Sequence, residues 1–399
     1  MPADVVYMDN HATTRVDPRV VEAMLPYFNE RYGNAGSTSH AYGWEAREAV
    51  DAARHSIASA IGAAEHEVVF TSGATESNNL ALRGTAERLR RRGNHLVSVT
   101  TEHKSILDPL ARLARRDHQI TLLPVRGAGD PLAGWLDPEQ VAAAIKPESL
   151  LVSVMLANNE IGVLQPIAEI GAICRERGVW LHCDATQAVG KLPVDVAALN
   201  VDLLSFTAHK IYGPKGVGAL YLRRTGANAV RLAAQIDGGG QETGLRSGTL
   251  NVPGIVGFAR ALELCLAGMD AERRRLAALR DRLFAGLTGA IDGVTLNGPA
   301  LDQPSLRLPG NLNCSFAYVD GEALMMNMGR LAVSSGSACT SANPEPSHVL
   351  RALGLNEDQT RASLRFGLGR FNTDADVDFA IEHVAETVRR LRKLSSMSA

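Results

Sequence analysis

LLVSVMLANNEIGVLQPIAEIGAICRERGVWLHCDATQ, residues 150–187, decides the fold. Leu150 to Leu156 is a near-continuous apolar run of strand length, and Val179 to Cys183 is a second. Between them Pro166 to Arg177 carries a helical pattern, with Pro where a first turn tolerates it. A strand that is apolar on both faces is covered on both faces. Two such strands joined by a helix make a parallel pair with its crossover. The same alternation extends outward. Upstream, Trp44 to Ile61 reads as a helix and Glu67 to Thr71 (EVVFT) as a strand. Glu76 to Arg92 reads as a helix, His95 to Thr100 (HLVSVT) as a strand and Ile106 to Arg116 as a helix; downstream, Asp202 to Thr207 (DLLSFT) is a strand. The class is α/β, with a mainly parallel sheet flanked by helices.

Beyond about residue 255 the pattern changes. Gly254 to Leu287 carries two long helical patterns, the second rich in Arg and Ala. A strand–helix–strand region follows through NLNCSF (311–316), GEALMMNMG (321–329) and LAVSSG (331–336). SLRFGLG (363–369) and a closing helix, Asp374 to Leu394, end the chain. Thr373 is the expected N-cap of that helix, with Asp in its first turn and Arg and Lys in its last, as the helix dipole favours. At roughly 150 residues per domain, 399 residues allow two to three domains. The expected division is a large α/β domain over 15–260, and a smaller C-terminal α+β domain over 261–399 that includes 1–14.

Forty-one Lys and Arg nearly balance 43 Asp and Glu. A nucleic-acid binder or an anionic-membrane binder would show a basic excess, so neither partner is expected. Only six of the basic residues are Lys, which leaves few candidates for chemistry that needs a free amine. The N-terminus lacks the basic and apolar regions of a secretory signal. No run approaches the roughly eighteen uninterrupted apolar residues of a membrane span. The five cysteines, Cys174, Cys183, Cys265, Cys314 and Cys339, are odd in number and contain no C-x-x-C pair. That is neither a disulfide framework nor a zinc pattern, so no metal is expected and a reducing cytoplasm is the natural compartment.

Five expected strands end in polar clusters: TSGATESNN (71–79), TTEHKS (100–105), ANNE (157–160), DATQ (184–187) and TAHK (207–210). Open α/β sheets bind ligands at the carboxyl ends of their strands, so five clusters on one edge can build one site. In Ser72-Gly73-Ala74-Thr75-Glu76 a strand runs through a glycine turn into a helix. That geometry fits a phosphate cradle, and it also fits an ordinary capping box. No G-K-[ST] occurs, which argues against Mg-nucleotide chemistry. Asp184 and Lys210 each follow a strand. They fit a strand-end salt bridge, and they equally fit the carboxylate and amine that pyridoxal phosphate needs. His103 also stands at a strand end.

Cys314 and the three cysteines before it sit in apolar segments, where a free Cys behaves as a small buried hydrophobe. Cys339 differs. SSGSACTSANPEP (334–346) surrounds it with small residues and prolines that describe a loop carrying an accessible thiol.

Taken together these residues are recognisable. VDLLSFTAHKIYGPKGVGAL (201–220) resembles the pyridoxal-phosphate lysine signature of the class V aminotransferase superfamily. GATESNN, NNEIG, DATQ, SGT and SSGSACTSA resemble the cysteine desulfurases of the IscS/NifS group. The likeness runs from DNHATT (9–14) through SHVLRALGL (347–355) to SLRFGLGRF (363–371). It implies a fold-type I, pyridoxal 5'-phosphate-dependent homodimer that converts L-cysteine to L-alanine. The sulfur is left as a persulfide on Cys339, for a sulfur-acceptor protein in iron–sulfur assembly or thiolation. Lys210 would hold the cofactor and move the substrate proton. Asp184 would pair with the ring nitrogen, His103 would stack on the ring, and Asn159 and Gln187 would contact the ring oxygen or its neighbourhood. Thr75, Thr207 and His209 would hold the phosphate, with Thr249 reaching it from the other subunit, and Ala74 would also bind the cofactor. Arg365 and Asn34 would bind the substrate carboxylate. A free Cys has a pKa of about 8.5, so the attacking thiol needs a base or a lowered pKa, and His103 is the expected helper. Thr243 stands where relatives often carry Arg. An aminotransferase or a selenocysteine lyase of the same superfamily, in which Cys339 is dispensable, is the nearest rival. A sulfur-relay scaffold with negligible turnover is the rival from another class.

Overall fold

The computed structural model describes residues 5–226, 229–335 and 346–394; Cys339 lies outside them. A short strand, β1 (Val6–Tyr7), comes first. Seven strands then build the large sheet: β2 (Val68–Thr71), β3 (His95–Val99), β4 (Gln119–Leu123), β5 (Ser149–Met155), β6 (Trp180–Asp184), β7 (Leu203–Thr207) and β8 (Gly218–Leu222). Their order across the sheet is β2-β8-β7-β6-β5-β3-β4. The pairs from β7 to β4 are parallel, while β8 runs antiparallel to both β7 and β2. Two reversals bring β2 back into line with β7. All five polar clusters therefore emerge on one edge.

Alternation along the strands divides the core in two. Val97, Val152, Leu181 and Leu204 face the helices Ala41–Ala60 and Ile167–Glu176 and the start of Val252–Ala290. Leu96, Leu151, Trp180 and Leu203 face the helices Ala74–Arg88 and Lys104–Ala114. With both faces covered, the interior strands meet solvent only at their ends. A separate core forms around β9 (Val294–Leu296), β10 (Asn311–Phe316) and, further on, β12 (Ser363–Gly367), which pair antiparallel. β11 (Leu331–Ala332) pairs in parallel with β1, and Met8 is buried in this second core.

Several elements differ from the sequence reading, among them one long helix and two strands of the large sheet. Gly254 to Leu287, read as two helices, is part of one 39-residue helix, Val252–Ala290. Its first half buries Ile255, Phe258 and Leu262 in the large core. Its second half buries Leu279, Leu283 and Leu287 in the smaller one. The apolar face changes partners midway, and that change of face imitates a break. By length and composition this helix could also cross a bilayer, but half of its most apolar stretch is buried within the fold. The strands β4 and β8 were not anticipated. The edge strand β4 is largely unburied, and β8 begins on glycine.

Candidate active site

A cavity of about 540 Å³ opens at the carboxyl edge of the large sheet. Ala74, Thr75, His103, Asn159, Asp184, Gln187, Thr207, His209, Lys210 and Arg365 all line it. The sequence reading thus brings ten residues, from five strand ends and the middle of β12, to one site.

Asp184 is the last residue of β6 rather than the first after it, and it is 5% exposed. Asn78 Nδ2 donates to its Oδ2 at 2.7 Å, and the Thr186 backbone N–H donates to Oδ1 at 2.9 Å. A fixed, buried carboxylate of this kind suits a cationic partner, since burial strengthens the attraction between charges. The same Asn78 Nδ2 lies 2.9 Å from Ser105 Oγ, which is 2.8 Å from His103 Nδ1. His103 caps the helix Lys104–Ala114, its Nδ1 accepting from the Ser105 backbone N–H at 3.1 Å. Burial holds the imidazole below its ordinary pKa and so favours the neutral ring, the Lys210 charge acting in the same direction.

Opposite this cluster, β2 ends in Ser72-Gly73 and the helix Ala74–Arg88 begins with no side-chain cap. Gly73 has φ +148°, a conformation that L side chains rarely adopt. A Cβ on Gly218 would stand 2.7 Å from the Gly73 Cα, so glycine there lets the turn press against β8. Glu76 does not close a capping box on the helix N-H groups. It accepts from the Ser72 N–H at 2.7 Å and pairs with Arg246 at 2.9 Å. The helix start, with its positive dipole end, Thr75 and Thr207, faces the cavity as an anion cradle. His209 sits beside it with Nδ1 3.2 Å from Thr13 Oγ1, and burial pushes its pKa down to about 4. A neutral imidazole there can donate to an anion without adding charge.

Lys210 ends the short helical turn Ala208–Lys210 directly after β7. Its Nζ donates to the carbonyls of His11 at 2.5 Å and Ala12 at 2.6 Å. Arg365 is 2% exposed on β12: Nη2 donates to Asp9 Oδ1 at 2.7 Å and Nη1 to the Asn159 carbonyl at 3.2 Å. Its Nε is buried with no partner among the described residues. His11 Nε2 and Thr186 Oγ1, on two other residues of the cavity wall, are likewise buried and unpaired. Buried polar atoms cost free energy unless satisfied, so three orphans on one wall mark a polar ligand site.

Two expected site residues are not among those that line the cavity. Asn34 is exposed, its side chain accepting from the Gly36 N–H at 2.8 Å. Thr249 is also exposed. Thr243, the departure from the family pattern, has φ +52° and accepts from Arg224 at 3.3 Å on the surface. Sequence reasoning missed Asn78, Ser105, Thr186 and His11 as site residues. All four lie inside motifs already quoted, but a polar residue beside a strand end carries no mark of which way it turns. Cys174, Cys183, Cys265 and Cys314 are free and buried, and burial raises every one of their thiol pKa values.

An amine, a buried carboxylate and an anion cradle at the carboxyl edge of a covered parallel sheet define an α/β enzyme site. The chain belongs to the aminotransferase class-V family, whose pattern matches residues 6–379. It is 58% identical over 393 residues to "Cysteine desulfurase IscS" of Anaeromyxobacter dehalogenans (strain 2CP-C), covering 98% of this chain and 94% of that one. It is 50% identical over 392 residues to the Homo sapiens protein "Cysteine desulfurase", covering 98% of this chain and 83% of the other. Among solved structures, a "NifS-like protein" superposes with a TM-score of 0.88 at 35% identity, covering 97% of this chain and all (100%) of that one. "SspA in complex with cysteine" superposes at 0.78 and 34% identity, covering 92% and 99%.

Proposed function

We propose that this chain is a cytoplasmic cysteine desulfurase that converts L-cysteine to L-alanine and leaves a persulfide on Cys339. The balance is L-cysteine plus the Cys339 thiol giving L-alanine plus the Cys339 persulfide. One C–S bond breaks, one S–S bond forms, and the carbon that loses sulfur gains a proton. The observation that carries this reading is the gathering of Lys210, Asp184 and the uncapped helix start of Ala74–Arg88 on one cavity. Those groups, with the orphaned polar atoms of His11, Thr186 and Arg365, fit pyridoxal 5'-phosphate. When bound, that group supplies an electron sink that acidifies the substrate Cα–H bond.

Each role falls to a residue of this chain. Asp184, fixed by Asn78 and the Thr186 N–H, would pair by charge with a protonated ring nitrogen. Thr75, Thr207 and His209 would hold the phosphate and Ala74 would contact the cofactor, Thr249 of a second copy completing that cradle in a homodimer. Asn159 and Gln187 would contact the ring oxygen or its neighbourhood. Lys210 Nζ takes and returns the Cα proton. Arg365 receives the substrate carboxylate, its planar fork matching two oxygens, with Asn34 assisting. Cys339 takes the sulfur, and a loop is the right carrier because the same atom must next meet an acceptor protein. The four other thiols are poor nucleophiles, since burial disfavours the thiolate. We also place the large unit at 15–260 and the smaller one, with the Cys339 loop, at 261–399 together with 1–14.

The test is to incubate the purified protein with L-cysteine, quantify alanine, and map the modified thiol by mass spectrometry. One alanine per sulfur, with the added sulfur on Cys339, is the expected result. A keto acid in place of alanine would move the chain to the aminotransferases.

A further inference from the structure

The His103 ring is held by more than its own cap, and the direction of every hydrogen bond behind it can be worked out. Asp184 Oδ2, as a carboxylate oxygen, only accepts, so the group 2.7 Å away must be the Asn78 amide nitrogen. That nitrogen has a second hydrogen, which points to Ser105 Oγ at 2.9 Å. Ser105 Oγ accepts there, so its own hydrogen is left for His103 Nδ1 at 2.8 Å. The Ser105 backbone N–H also points at Nδ1, at 3.1 Å. Two donors aimed at one ring nitrogen leave no room for a proton on it. Asn78 is fully buried and Ser105 nearly so.

We propose that Asn78 and Ser105 are positioning residues that hold neutral His103 with its proton on Nε2, making the ring a proton donor from that atom. This inference rests on the reading of the site given under Proposed function. Its consequence reverses one expectation. A neutral ring whose Nδ1 is filled and whose Nε2 carries hydrogen has no lone pair with which to take the proton of the Cys339 thiol. His103 instead offers a hydrogen to a substrate group that gains electron density. The charged groups acting on the ring are Asp184 and, on its own helix, Asp108, which favour its cation, and Lys210 and His348, which oppose it.

The test uses full-length protein, loaded with pyridoxal phosphate and labelled with 15N in its histidine rings. Long-range 1H–15N correlation spectra then separate the tautomers, with His103→Gln identifying the signals. The expected pattern is an unprotonated Nδ1 and a protonated Nε2 at neutral pH. Ser105→Ala removes a donor that favours the neutral ring, so the His103 titration midpoint rises by roughly half to one unit. Ser105→Thr keeps a hydroxyl and restores it. A proton on Nδ1 in the unmodified protein overturns the proposal by itself, whatever the variants do. So does a Ser105→Ala midpoint that stays in place. Neither result depends on whether alanine is produced, so a failure here is distinct from a failure of the functional reading.

Discussion

Lys210 and Cys339 divide the proposed chemistry between them, and the two substitutions that remove them have opposite signatures. Lys210→Ala removes the amine that would hold the cofactor and carry the Cα proton. We expect turnover to fall by about 10²- to 10⁴-fold or more, the ordinary worth of a positioned acid–base group. The absorbance band of the lysine-bound cofactor should vanish with it. Cys339→Ala removes the thiol and keeps Lys210, so that band should persist while sulfur release from cysteine falls to background. A Cys339→Ala protein that turns over normally would place the sulfur acceptor elsewhere. An unchanged band in Lys210→Ala would do the same for the cofactor lysine. Lys210 was legible as a cavity residue in the sequence because its motif is long and chemically unusual, with an amine straight after a strand. Asn78 was not, because its role lies in two hydrogens of one amide, each aimed at a different element.

Glycine separates two kinds of element in this fold, and substitution by alanine should move stability in opposite directions. Gly218 opens β8 where an added Cβ would meet the Gly73 Cα at 2.7 Å and the Phe206 carbonyl at 2.8 Å. Neither is the far end of a flexible side chain, so the backbone must shift. Gly218→Ala should cost about 1–3 kcal/mol by overpacking. It should also loosen cofactor binding, because the displaced segment is the anion cradle. Gly268 lies exposed in the middle of Val252–Ala290, with nothing within 4 Å of an added Cβ. Gly268→Ala should add about 0.5–1 kcal/mol by narrowing the unfolded ensemble. Thermal melts of the two variants with saturating cofactor check both signs, and a stabilising Gly218→Ala would contradict the packing argument. The strands that the sequence revealed, such as Ser149–Met155, are buried along their whole length. The one it concealed at the sheet edge, Gln119–Leu123, has a mixed pattern of exposure because a helix covers it less completely. The long helix was read as two for a related reason: periodicity reports which face is buried, and here that face answers to two cores in succession.

Across the whole molecule, acid should weaken the fold through a histidine that no substrate touches. His182 lies fully buried on β6, two residues before Asp184, with Nδ1 2.9 Å from Ser153 Oγ on β5 and Nε2 2.9 Å from Ser205 Oγ on β7. It ties three adjacent strands beneath the cavity. Burial pushes its pKa down to about 4 from the usual 6.5, although the Asp184 charge pulls the other way. The unfolded chain therefore binds a proton as pH falls through about 6.5, while the folded chain binds it only near 4. Stability conferred by the neutral ring is fully present above 6.5 and is lost between those two values. At about 1.4 kcal/mol per unit, this one group is worth on the order of 3 kcal/mol over the window. Glu102 acts in the opposite sense. Burial raises its pKa well above the ordinary value, so the folded state binds that proton first and gains stability on acidification. The two are separated by comparing the protein with His182→Gln, which keeps Glu102 and removes the titrating ring. Chemical denaturation of both proteins from pH 7.5 to pH 4.5, with cofactor saturating, should show the stability of the parent falling more steeply than that of the variant. Parallel curves would mean that the His182 ring keeps an ordinary affinity for protons inside the sheet, and that the Ser153–His182–Ser205 bridge does not depend on its neutrality.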